Sequence, residues 1–103
     1  MDVCLLLDFY GQLLTSKTRN LLELHYEEDM SFSEIGELEN ISRQAVHDSV
    51  KRGVKSLSSY ESKLGLARRF LHQKEQIESA LSALEENENK RAEALLRQLQ
   101  EQF

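Results

Sequence analysis

Proline and tryptophan are absent from this chain, cysteine occurs once and glycine four times. Without proline nothing forces a helix to stop or kink, so long uninterrupted helices are allowed and all-α is the natural fold class. The lone cysteine, Cys4, closes no disulfide within the chain and sits in an apolar run, where it reads as a small buried hydrophobe. That run, Val3 to Leu7, is far too short to span a membrane, and the amino terminus carries neither the basic flank nor the cleavage pattern of a secretory signal. The expected location is the cytoplasm. Three histidines (His25, His47, His72), no glycine-rich phosphate loop and no metal-ligand spacing leave no constellation for catalysis. The expectation is therefore no enzyme, no catalytic residue, no cofactor and no metal. The acidic triplet Glu27-Glu28-Asp29 lacks the alternating ligands and central glycine of a calcium loop and reads as a solvated helix end.

What is present points to helices. With 103 residues, 40% of them hydrophobic and 30% charged, the chain can bury one small core and still solvate long helix faces. The net charge of −5 argues against non-specific affinity for a polyanion, since phosphate neutralisation by Lys and Arg drives such binding. The charge is unevenly placed. Between Ser42 and Leu57, Arg43, Lys51, Arg52 and Lys55 stand against Asp48 alone, whereas the preceding helices are acidic.

That basic stretch lies in Ser31 to Leu57, SFSEIGELENISRQAVHDSVKRGVKSL, which has the spacing of a helix, a tight turn and a second helix. Ser31 and Glu34 stand at capping-box distance, with Met30 and Ile35 placed as a hydrophobic staple. Ile35 and Leu38 lie three apart on one helical face, and Gly36 leaves room for another backbone to approach. In the turn Glu39-Asn40-Ile41, Asn40 is the residue that tolerates a left-handed conformation, and Ile41 plugs the core. Ser42 caps the next helix, whose Ala45, Val46, Val50, Val54 and Leu57 recur as a buried stripe. Upstream, Val3 to Leu14 reads as a mostly buried first helix and Lys17 to Glu28 as a second, capped by Thr15 or Ser16.

The pattern S-x-x-E-I-G-x-x-x-x-I-S-R-x-x-V in this stretch resembles the helix-turn-helix of sigma-factor region four, and the match reaches back through TSKTRNLLELHYEED. More closely, the chain from DFYGQLLTSKTR through SRQAVHDSVKR to YESKLGL resembles the YlxM family of small bacterial proteins. That resemblance implies a four-helix, wingless helix-turn-helix core over residues 1–58 and a helical extension over 59–103. It also implies a regulatory or accessory role in the signal recognition particle pathway, whose genes typically neighbour those of the family. In a region-four-like module the first turns of the second helix face the major groove. The candidate DNA-binding residues are accordingly Ser42, Arg43, Gln44, His47, Asp48, Lys51, Arg52 and Lys55. Arg43 occupies a basic position that sigma factors use on DNA, while His47 and Asp48 stand where they usually carry arginine and glutamine. Asp48 departs from a phosphate-binding surface, so a protein-interaction module that kept the fold without binding DNA stays beside the DNA reading. An RNA reading is weaker, since no aromatic platform offers itself for base stacking.

In the extension, Tyr60, Leu64, Ala67 and Leu71 alternate at coiled-coil spacing, and Ile77, Ala80, Leu81 and Leu84 continue the stripe. Glu85 to Asn89 breaks it, and Asn89 is placed to cap a last helix, Lys90 to Gln102, with a stripe of Ala92, Leu95, Leu96 and Leu99. Seven basic and eight acidic residues from Tyr60 onward give solvated faces rather than a phosphate-binding tail. Stripes of this length need a cover, and the expectation is a homodimer associating through Leu64, Leu71, Ile77, Leu81, Leu84, Leu95 and Leu99.

Overall fold

Asp2 opens the first helix by accepting a hydrogen bond from the Cys4 N–H at 2.8 Å, and the computed structural model, which describes residues 1–103, then builds six α-helices and no strand. They are α1 (Val3–Tyr10), α2 (Ser16–Tyr26), α3 (Phe32–Glu39), α4 (Arg43–Leu64), α5 (Leu66–Glu85) and α6 (Asn89–Gln100). The chain is all-α, and its contacts divide it into two units, Met1–Ala67 and Arg68–Phe103.

In the first unit α4 is the axis, with α1, α2 and α3 each packed on it. Leu6, Leu7, Tyr10, Leu21, Leu22, Ile35, Val46, Val50 and Leu57 are buried together. Burial of such side chains stabilises by about 1.5–3 kcal/mol each relative to exposure, which makes this cluster the main source of the unit's stability. The first helix is shorter than its apolar run suggests: α1 ends at Tyr10, and Gly11–Leu13 form a 3-10 turn that leaves Leu13 exposed. Thr15 caps α2, accepting from the Thr18 N–H at 3.2 Å. That helix ends at Tyr26, earlier than Glu28, because Asp29 turns left-handed (φ 56°) and the Met30 N–H bonds back to the Leu24 carbonyl at 3.0 Å. Glu27, Glu28 and Asp29 are exposed.

The three serines Ser56, Ser58 and Ser59, which lower helix propensity around Leu57, do not end the helix. α4 runs through them to Gly65, whose left-handed backbone (φ 63°) is the true stop. Tyr60 and Leu64 therefore belong to α4 and Leu71 to α5, so the coiled-coil spacing across them does not describe one helix. A buried carboxylate sets the beginning of α5. Glu61 Oε1 accepts from the Tyr10 hydroxyl at 2.7 Å and from the Ala67 N–H at 3.0 Å, while the Tyr10 oxygen accepts from the Leu66 N–H at 3.0 Å. Two free N–H groups at a helix start are thereby satisfied inside the unit. Burial, and then the hydrogen bond to Glu61, push the Tyr10 phenol above its ordinary pKa.

The second unit is an antiparallel hairpin of α5 and α6. Asn87 makes the reversal in the left-handed region (φ 60°), with the Glu88 N–H bonding to the Ala83 carbonyl at 2.7 Å, and at the open end the Gln102 side-chain N–H donates to Gln76 Oε1 at 2.6 Å. Asn89 begins α6 rather than capping it; the cap position is Glu88, which makes no side-chain capping bond and pairs with Arg91 at 2.8 Å. The buried side chains of the unit are Ala80, Ala83 and Ala92. Leu95 and Leu99 are half-buried, while Leu71, Ile77, Leu81, Leu84 and Leu96 are exposed.

Candidate nucleic-acid interface

The helix-turn-helix is built from backbone outward. Both halves of the Ser31–Glu34 capping box form: the Glu34 N–H donates to Ser31 Oγ at 3.1 Å and the Ser31 N–H to Glu34 Oε1 at 3.0 Å, which holds the Glu34 carboxyl below its ordinary range. At the other end of α3, Asn40 adopts the left-handed conformation (φ 56°), and the Ile41 N–H reaches the Gly36 carbonyl at 2.9 Å. Gly36 is the contact point of the motif, because a Cβ there would lie 2.7 Å from the Ile41 carbonyl oxygen and 3.4 Å from the Arg43 nitrogen. Ser42 then caps α4, its Oγ accepting from the Ala45 N–H at 3.0 Å. One residue departs from the expected inner face. Ile35 is buried but Leu38 is 61% exposed, because Gly36 brings the turn against the Ile35–Gly36 side of this short helix and Ile41 packs on the core there.

A second close approach was not legible in the sequence. A Cβ on Gly53 would lie 2.7 Å from Leu22 Cδ1 and 3.0 Å from Thr18 Cγ2, so α2 crosses α4 at its glycine.

Of the sequence-derived candidates, Gln44, Asp48, Lys51 and Lys55 share one exposed face of α4, and His47 lies half-buried at its edge. Arg43 and Arg52 flank that face on opposite sides. The Arg43 guanidinium sits 5.9 Å from the centre of the Phe32 ring, whereas Arg52 donates to Ser49 Oγ at 3.4 Å and borders a groove lined by Thr15, Thr18 and Gly53. Ser42 uses its oxygen on the helix start, which leaves it a positioning part. Asp48 accepts from the Gln44 side-chain amide at 2.9 Å and lies 3.2 Å from His47 Nδ1. These bonds, that from His47 first, hold its carboxyl below the ordinary aspartate range. The negative charge at the centre of the face thus persists at neutral pH, with two of its neighbours engaged by it.

Phe32, which composition and spacing did not single out, organises this edge. Its ring stands 4.4 Å from that of His25 and 5.6 Å, edge-on, from that of His47, and His25 Nδ1 lies 2.8 Å from the Met30 carbonyl. Tyr26, Phe32, His47, Val50, Lys51 and Val54 enclose a groove of about 270 Å³ beside the basic face. The one signal for it in the sequence is Phe32 at the first helical position after a cap, where an aromatic side chain falls back over the preceding turn. Elsewhere, Cys4 is free and half-buried, its thiol 3.5 Å from the Tyr26 carbonyl and pushed up in pKa chiefly by burial. No group of three or more His, Cys, Asp or Glu side chains is gathered to hold a metal ion, and no helix is long and apolar enough to cross a membrane.

Comparison with known proteins gives this geometry a family. Residues 1–100 match the model of UPF0122, described as "Putative helix-turn-helix protein, YlxM / p13 like". Among similar proteins, a UPF0122 protein of Desulforamulus reducens is 44% identical over 81 residues, covering 79% of this chain and 69% of the relative. One from Clostridium botulinum is 43% identical over 86 residues, covering 84% and 79%, and one from Acetivibrio thermocellus is 52% identical over 73 residues, covering 71% and 62%. With a formed helix-turn-helix and a match along nearly its whole length, the chain belongs to the UPF0122 family of YlxM / p13-like proteins.

Proposed function

We propose that this protein is a cytoplasmic regulator that binds DNA through α4, with affinity drawn from a specific site and from two modules joined in a homodimer. The observation that carries the reading is the mounting of α4. Its amino-terminal turns project Arg43, Gln44, Asp48 and Lys51 into solvent, while the opposite side is locked by Val46 and Val50 and by the contact at Gly36. Arg43 is placed to read a base, since its guanidinium can donate two parallel hydrogen bonds to guanine. Lys51 and Lys55 are placed to hold phosphates, and Asp48 restrains non-specific binding by repelling them.

Fluorescence anisotropy against duplexes enriched from a random pool tests this. Arg43→Ala should cost about 1–3 kcal/mol and relax preference at one position. Lys51→Ala and Lys55→Ala should weaken all sequences alike and reduce the salt slope by about one unit each. Failure of both the wild type and Asp48→Asn to retain any duplex at low salt would defeat the DNA reading.

The second reading is a protein contact of the signal recognition particle pathway, as the family resemblance implies. The groove of Tyr26, Phe32, Val50 and Val54 beside Lys51 favours it, because an apolar slot with a lysine at its rim suits an apolar and acidic peptide better than a duplex. Binding of a purified particle component that Lys51→Ala abolishes, with no DNA retained, would support this reading over the first.

A further inference from the structure

Gln44 and Asp48 stand one turn apart on the exposed face of α4, and their contact fixes which way an amide points. Gln44 Nε2 donates to Asp48 Oδ1 at 2.9 Å, and His47 Nδ1 lies 3.2 Å from the same oxygen. These bonds, that of His47 first, hold the carboxyl below its ordinary range, so it is ionised at neutral pH. An ionised carboxylate only accepts, and the end of the Gln44 amide turned toward it is therefore the nitrogen. The His47 ring is itself steadied by Phe32, edge-on at 5.6 Å, and Phe32 stands 4.4 Å from the ring of His25 on α2. A line of contacts thus runs from the edge of the core through Phe32, His47 and Asp48 to Gln44.

An amide nitrogen carries one proton on the side of its own carbonyl oxygen and one on the far side. A carboxylate approaching from the near side would set negative oxygens together, so Asp48 takes the far proton. The near proton and the carbonyl oxygen remain, a donor beside an acceptor on one edge. In the major groove adenine alone presents the complement on adjacent atoms, an acceptor at N7 and a donor at N6. Guanine offers two acceptors, cytosine a donor, and thymine an acceptor with a methyl group. We propose that Gln44 reads an adenine through this edge and that Asp48 is a positioning residue, which holds the amide in the orientation that reads it. Arg43, placed to read guanine, precedes Gln44 by one residue, about 3.8 Å between Cα atoms, which is close to the rise of about 3.4 Å per base pair. The adenine therefore lies within about two base pairs of the guanine. This inference rests on the DNA reading and adds to it which base is read and what orients the reader.

Fluorescence anisotropy of the full chain tests it, on a duplex enriched by the wild type from a random pool and then altered one base pair at a time. One A·T pair should be required, any other pair there weakening binding by roughly 5- to 100-fold. At that adenine, 7-deazaadenine, which lacks the N7 acceptor, and purine, which lacks the amino group, should each weaken binding by roughly 3- to 10-fold. Gln44→Ala should abolish the preference at that pair and keep the preference for guanine. Asp48→Asn presents a donor as well as an acceptor and no longer fixes the amide. Its preference for adenine should fall by roughly 3- to 10-fold while its affinity for mixed-sequence duplex rises, because a charge that repels phosphates is gone. A merely structural role for Asp48 would instead lower both kinds of binding together. An enriched site whose Gln44-dependent pair is not A·T, or an adenine preference that survives intact in Asp48→Asn, would overturn the inference while DNA binding stands. Retention of no duplex at low salt by either the wild type or Asp48→Asn would remove the DNA reading and this inference with it.

Discussion

The two units of this chain are both helical and both amphipathic, yet they bury opposite kinds of side chain. Met1–Ala67 closes on leucine, isoleucine, valine and a tyrosine, with glycines where helices cross; Arg68–Phe103 fully buries only alanines, half-buries Leu95 and Leu99 and leaves its other leucines exposed. The first arrangement specifies one fold by interlocking shapes, because large rotamer-restricted side chains fit only one way. The second fixes the reversal of a helical hairpin but gives little stability of its own. An apolar stripe in a sequence therefore states that burial is needed without saying whether the same chain provides it.

Substitutions can break or sharpen that contrast. The largest effect is expected for Ile35→Asp, which places an unpaired charge at a fully buried position and should cost about 3–5 kcal/mol, abolishing the cooperative thermal transition of the first unit in circular dichroism. Leu38→Asp, one turn away and solvent-facing, should melt within a degree or two of wild type; an equal loss from both would erase the distinction between inner and outer face. Next, Ala83→Leu forces bulk into the alanine seam and should cost about 1–3 kcal/mol. Hydrogen exchange should rise across Arg68–Phe103 while the amides of α2 and α4 stay protected, and a rise in both would mean the units do not unfold separately.

A smaller effect separates the charged parts of the first unit. Tyr10→Phe removes the hydroxyl that donates to Glu61 and accepts from Leu66, and should lower the melting temperature by several degrees. Because the folded phenol has a raised pKa, its contribution is complete below the ordinary tyrosine value and is lost as pH rises from that value through the folded one; the wild type should show this alkaline loss and Tyr10→Phe should not. The smallest effect is expected at Glu34. Its lowered pKa gives a contribution present above the ordinary glutamate range and lost as pH falls through the folded value, so Glu34→Gln should flatten the acid limb of a pH–stability curve by a modest amount.

Local chemistry was the legible part of the sequence. The cap at Ser31, the left-handed Asn40, the cap at Ser42 and the inward stripe of α4 each depend on neighbours within a few residues, and each appears where its residue type requires. Features that depend on distant neighbours were not readable. Glu61 counts as one more surface charge until Tyr10, fifty-one residues away, is brought to it. Gly65 ends α4 although three serines lie within its last turns, because serine only weakens a helix whereas a left-handed glycine terminates it. Phe32 became a partner of His25 and His47 only when α2, α3 and α4 met.

The backbone contact at Gly36 has one further consequence. Since α4 is seated by a glycine against a carbonyl and an amide rather than by the side chains it displays, those side chains are free to change without tilting the helix. The module behaves as a socket holding an interchangeable reading head: exchanging Arg43, Gln44 and Asp48 as a set should yield proteins with different preferences and unchanged architecture, whereas a single methyl group added at Gly36 should misalign every such variant alike.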